Sequence, residues 1–357
     1  MDSKLWTPIQ AGDLRLNHRL AMAPMTRNRS TPEGIPTEMN AEYYAQRAST
    51  ALIISEGTQP SADGQGYLLT PGIYTDAQIE GWRKVTGAVH AAGGKIVIQF
   101  MHTGRVGHPS NTPRGHQMVA PSAVQPKMKI TTPTGLQDVP APHALTLDEI
   151  PRVVREFSHA AASAMKAGAD GVEIHGANGY LIHQFLSDNA NQRTDEYGGS
   201  VENKIRFAVE VATAVAAEIG PGRTGIRIAP GNKFNEIEEN NVPAVYEALV
   251  RELAKLKLAY LHVNHMGDEA LLRMIRSLWP GVLLVNRGRT DISARIADLE
   301  SGVADVITVG TMNLANPDLV QRLKTGAPLN PPDPSTFYGG GVKGYTDYPT
   351  LSMAAGT

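Results

Sequence analysis

The sequence has 357 residues, 41% of them hydrophobic, with a formal charge of −2 and no cysteine. Such a chain can bury a large core. Its near-neutral charge offers no basic field for nucleic acid or anionic membrane, and the missing thiols exclude disulfides, thiolate catalysis and cysteine-ligated metals.

In chain order, Met1–Pro8 lacks the apolar run of a leader, and no later run approaches membrane-spanning length, so a cytoplasmic protein is expected. Leu5–Leu16 reads as a small hairpin. Short β-favouring runs then recur at Leu20–Met25, Ala51–Glu56, Lys95–Phe100, Gly171–His175, Thr224–Ile228, Ala259–Val263, Val282–Asn286 and Asp305–Val309. Continuous apolar runs of this length suit strands buried on both faces, as in a parallel sheet. Helical periodicity fills the gaps, as at Asp76–Ala92, Thr146–Ala167, Val201–Ile219 and Val242–Lys257. Eight strand–helix units predict an α/β fold: a single (β/α)8 TIM-barrel domain over residues 1–357. An open doubly wound sheet is the alternative, weakened because no GxGxxG follows the first strand. Gly104–His143, rich in Pro, Gly, Ser and Thr, predicts a loop excursion over the barrel mouth after strand three. The N-terminal hairpin is expected to cap the other end, and the tail from Pro328 to pack on the barrel as coil.

In a barrel of this kind the active groups lie at the C-terminal ends of the strands and in the loops just beyond. Those positions carry Met25-Thr26, Gln99, His175 with Asn178, Arg227, Asn286-Arg287-Gly288-Arg289 and Gly310-Thr311. So many hydrogen-bonding groups would be costly in a sealed core and make sense around a large polar ligand. Singly, each has a plainer reading: a satisfied histidine, a core salt bridge at Arg227. Metal binding is disfavoured, because His175 and Asn178 lack a third ligand in register.

These residues sit within blocks that resemble the Old Yellow Enzyme family of FMN-dependent ene-reductases, nearly end to end. The blocks include Ala23-Pro24-Met25-Thr26-Arg27, Glu42-Tyr43-Tyr44-Ala45-Gln46-Arg47-Ala48, Gln99-Phe100-Met101-His102-Thr103-Gly104-Arg105, Asn191-Gln192-Arg193-Thr194-Asp195-Glu196-Tyr197-Gly198-Gly199-Ser200 and Phe337-Tyr338-Gly339-Gly340-Gly341. The resemblance implies an FMN cofactor reduced by NADPH or NADH, and a small activated alkene as substrate, reduced by a ping-pong hydride transfer. It implies that Pro24, Met25, Thr26 and Gly57 border the flavin ring. Gln99 and Arg227 would bind its pyrimidine end, where a fixed cation stabilises the reduced ring. His175 and Asn178 would donate to the substrate's carbonyl or nitro oxygen, Tyr180 would deliver the proton, and Tyr67, Met101 and Tyr338 would line the substrate's place. Monomer and homodimer both remain open.

The sequence departs from the family in three places. Gly310-Thr311 replaces a Gly-Arg whose guanidinium would bind the FMN phosphate, a loss of roughly 1.5–3 kcal/mol. Arg287 or Arg289, in the segment Asn286-Arg287-Gly288-Arg289, is expected to supply that cation. Met101 stands where relatives commonly carry tryptophan, which predicts a roomier pocket, and Asn264–Asp268 is shorter than the usual loop. Gly57 in place of alanine reads as a minor change. Two further readings stay open: a specialised isomerase or cyclase without net reduction, and a flavin-poor barrel retained for binding.

Overall fold

The structure is a computed structural model that describes residues 3–288 and 291–354. Eight parallel strands close into a barrel: Leu20–Met22, Leu52–Ile54, Ile96–Phe100, Gly171–Gly176, Thr224–Ile228, Tyr260–His265, Val282–Arg287 and Val306–Val309. The first strand pairs with the eighth at Leu20–Ile307, which shuts the ring and leaves no edge to protect. The first ladder stops at Met22, short of the expected Met25, because Pro24 has no N–H to give. The sixth and seventh strands run further than expected, to His265 and Arg287.

A helix follows each strand: Glu38–Ala45, Asp76–Ala91, Ile150–Lys166, Val201–Ile219, Val242–Lys255, Glu269–Leu278, Ile292–Glu300 and Leu319–Thr325. Their starts are written in the sequence. The Thr75 hydroxyl accepts from the N–H of Gln78 in a capping box, and the side chains of Ser200, Asp268 and Asp291 each accept the N–H three residues on. Outward-facing strand residues such as Val172, Ile174, Ile226 and Ile307 meet the helices in one continuous core. No helix among the described residues is long and apolar enough to cross a membrane.

Inside the barrel, alternate residues stack in layers. The lower layer holds Leu52, Ile54, Val97, Tyr260, Leu284 and Val306, sealed from below by Leu14 and Leu16 of the hairpin Ile9–Ala11/Leu14–Leu16. Gly225 is glycine because a Cβ there would collide with the Tyr260 ring. Above this plug the layer turns polar. Glu173 accepts from Gln99 Nε2 at 2.8 Å and sits 2.9 Å from His262 Nδ1, while His262 Nε2 lies 3.0 Å from the Thr308 hydroxyl.

The excursion after the third strand contains the hairpin Lys129–Thr132/Gly135–Asp138, and its ends meet in a short parallel pair, Val119–Ala120 with His143–Ala144. The C-terminal tail is coil with short helical turns, strapped across the same end of the barrel.

Candidate active site

A cavity of about 860 Å³ opens over the C-terminal ends of the strands. Its floor and walls bring together Pro24, Met25, Thr26, Gly57, Gln99, Met101, His175, Asn178, Tyr180, Arg227 and Thr311, with Tyr67 and Tyr338 near the mouth. Asn286, Arg287, Gly288 and Gly310 do not line it. Asn286 instead donates to the Thr308 carbonyl, and Gly310 packs beside Met25. Arg287 is held by two carboxylates, Glu269 at 2.6 Å and Asp298 at 2.5 Å, and these hydrogen bonds raise its pKa further. To serve a phosphate, Arg287 would have to exchange one of these partners. Arg289 lies outside the described residues.

His175 is the penultimate residue of the fourth strand, paired with Arg227 of the fifth. Its Nδ1 accepts the Ala177 N–H at 3.3 Å, which places the ring proton on Nε2. Burial, reinforced by Arg227, pulls its pKa well below the ordinary histidine value, so the ring is a neutral donor. Asn178 and Gly179 both take left-handed backbone, and Gly179 is tight as well, since a Cβ would lie 2.5 Å from the Phe234 carbonyl. This turn delivers the Asn178 side chain to Asn232 and Asn264, whose amides donate to its Oδ1 at 2.8 and 3.0 Å. With the oxygen so occupied, Nδ2 is the group left to donate into the cavity. Two neutral donors therefore face one space.

Tyr180 is 7% exposed and edge-on to His175, with its hydroxyl 3.1 Å from that of Tyr67. Burial pushes its pKa up, so it stays a neutral phenol. Deeper in, Arg227 is buried and its Nε has no hydrogen-bond partner. Beneath it burial acts to raise the Glu173 pKa, but His262, Arg227 and the Gln99 hydrogen bond outweigh that and hold Glu173 ionised. An orphaned guanidinium N–H on Arg227, in a cavity also lined by the polar Gln99 and Thr26 and by Pro24, Met25 and Gly57, suits the polar edge and apolar faces of a flavin ring.

The mouth is finished by segments with no periodic signal. Ile130, Thr131 and Leu136 of the excursion hairpin, and Phe234 after the fifth strand, all reach it. None of these residues is a site candidate in the sequence, nor are Asn232 and Asn264, which touch Asn178. Asn264, just past the expected strand end at Val263, and Asn232 and Phe234, a few residues past Ile228, carry position as their one signal; the hairpin residues carry none. The tail is tied down by two arginines: Arg27 donates to the carbonyls of Phe337 and Gly344, and Arg29 to those of Thr336 and Gly341. Elsewhere, Asp63, His102 and Glu156 bring donor atoms within 4.8 Å, but Arg152 already pairs with both carboxylates.

Comparison with known proteins matches residues 4–330 to the model of the NADH:flavin oxidoreductase / NADH oxidase family. The chain is 42% identical over 354 residues to a probable flavin mononucleotide-dependent alkene reductase of Leishmania infantum, covering 96% of each. Morphinone reductase in complex with tetrahydroNAD superposes with a TM-score of 0.94 at 44% identity, covering 98% of both chains. An Old Yellow Enzyme homologue of Zymomonas mobilis gives 0.95 at 42% identity, over 98% of this chain and 100% of that one.

Proposed function

The chain belongs to the NADH:flavin oxidoreductase / NADH oxidase family, and we propose that it is an FMN-dependent reductase of activated alkenes: enones, enals, maleimides and nitroalkenes. The observation that carries this reading is the pair of fixed neutral donors, His175 and Asn178, facing one cavity with the Tyr180 phenol. Gln99, Arg227 and Thr26 would hold the polar edge of FMN, and Pro24, Met25 and Gly57 its faces. The phosphate falls to the backbone of Gly288, Gly310 and Thr311, with Arg287 or Arg289 as its cation. When bound, FMN supplies the hydride, taken from NADPH or NADH.

His175 and Asn178 donate to the substrate's carbonyl or nitro oxygen. Two hydrogen bonds there draw electron density from the conjugated double bond and make its β-carbon electrophilic. Tyr180 protonates the α-carbon as negative charge develops, a task that suits a phenol whose proton stays on until it is needed. Coenzyme and alkene occupy the same space in turn, which is why the chain needs no dinucleotide-binding fingerprint.

The deciding experiment measures NAD(P)H consumed against saturated product formed from 2-cyclohexenone. One coenzyme per product is expected. A product isomeric with the substrate, formed with no coenzyme consumed, would mark an isomerase or cyclase instead.

A further inference from the structure

Gly57 follows the second barrel strand and has no positive φ, so its backbone would accept any residue. What the position excludes is a side chain. A Cβ there would lie 2.5 Å from Met101 Sδ, 2.7 Å from its Cε and 2.9 Å from its Cβ. The far end of a methionine can swing away, but its Cβ is tied to the backbone. That backbone is pinned beside Gly57, because the Met101 N–H donates to the Thr58 carbonyl at 2.9 Å and the Thr58 N–H to the Gln99 carbonyl at 2.8 Å. Loop and strand end cannot drift apart to make room.

Met101 is 3% exposed and forms a small buried cluster with Val106 and Tyr180, against which Tyr67 and Met128 pack. Gly57 and Met101 both line the cavity. The two departures from the family pattern at these positions are thus one feature: the thioether lies in the space that a methyl at 57 would fill.

We propose that Gly57 is a specificity-determining position of the reaction. By housing the Met101 side chain, it keeps that side chain from projecting into the cavity, where the substituents of a bulky cyclic alkene must fit. This rests on the ene-reductase reading. A methyl at 57 displaces the Met101 side chain from the place it now fills and so reshapes the cavity both residues line, while removing Sδ and Cε of Met101 takes away the two shortest of these contacts.

The test compares wild type, Gly57→Ala, Met101→Ala and the double variant, reading the ratio of kcat/KM for carvone to that for 2-cyclohexenone. Thermal unfolding of the same four proteins gives a readout independent of turnover. Gly57→Ala is expected to lower the ratio at least tenfold and to lower Tm when Met101 is present. With Ala at 101 the Sδ and Cε contacts are gone and only the Cβ contact at 2.9 Å remains. The effect of Gly57→Ala on the ratio is then expected to vanish, the ratio returning to within threefold of the Met101→Ala protein, and the Tm loss to shrink. A ratio unmoved by Gly57→Ala, or one that stays low in the double variant, overturns the proposal. Wild-type protein that reduces neither enone overturns the ene-reductase reading, and the proposal with it.

Discussion

At Asn178 the proposed chemistry depends on an amide that points one way, and its oxygen is held by the Asn232 and Asn264 amides. Removing either partner frees the amide to rotate. Asn232→Ala and Asn264→Ala are each expected to lower kcat/KM about fivefold, the effect of one ordinary hydrogen bond of about 1 kcal/mol. Unchanged kcat/KM in both would show that the orientation is held by something else. Glu56 gives a prediction in pH. It is 1% exposed, its Oε2 accepts the Arg27 N–H and its Oε1 the Tyr44 hydroxyl, and burial pushes its pKa up to about 7. Between the unfolded value near 4.5 and about 7 the folded chain therefore holds a proton that the unfolded chain has lost. Stability falls as pH rises through that window and levels off above it. Glu56→Gln removes this slope, so its stability relative to wild type should climb between pH 5 and 7, by up to about 3 kcal/mol. Parallel Tm–pH curves for the two proteins would contradict this.

Among the elements, the barrel strands and long helices were legible because each is a run of apolar residues with one period. Val201–Ile219 emerges with the expected bounds, and Asp76–Ala91 ends one residue early. The tail and excursion were legible only as coil and loop, since their shape is set by distant partners. Arg27 and Arg29 reach across roughly three hundred residues of sequence to the tail carbonyls, and no local pattern announces that. The clamp carries its own prediction. Arg29→Ala leaves the barrel folded but loosens 336–344, so limited proteolysis should cut there severalfold faster than in wild type, and KM for enones should rise as Tyr338 is released. Equal cleavage rates would show that the clamp does not hold the tail. The seventh strand's end gives another. If Arg287 serves the phosphate, Arg287→Ala weakens FMN binding ten- to a hundredfold. If its carboxylate pairs hold it away, FMN affinity stays within threefold and Tm falls; equilibrium dialysis and thermal unfolding separate the two.

For the molecule as a whole, the barrel positions polar groups that would be unaffordable in a sealed core. Arg227 and Glu173 stand in the barrel above an apolar plug, and the cavity above them collects groups from six strand ends, three loops and the tail. The sequence showed which residue types stand at the strand ends. It could not show that Gly57 and Met101 share one space, or that Asn232 and Asn264 orient Asn178, because both depend on neighbouring strands in the closed ring. The most direct test of the account is the visible spectrum of the purified protein under anaerobic conditions, titrated with NADH or NADPH and then with 2-cyclohexenone. The account predicts a bound flavin spectrum that bleaches with one equivalent of coenzyme and returns with one equivalent of enone. Protein that retains no flavin after incubation with FMN and gel filtration, or whose bleached flavin does not recover with the enone, would contradict it.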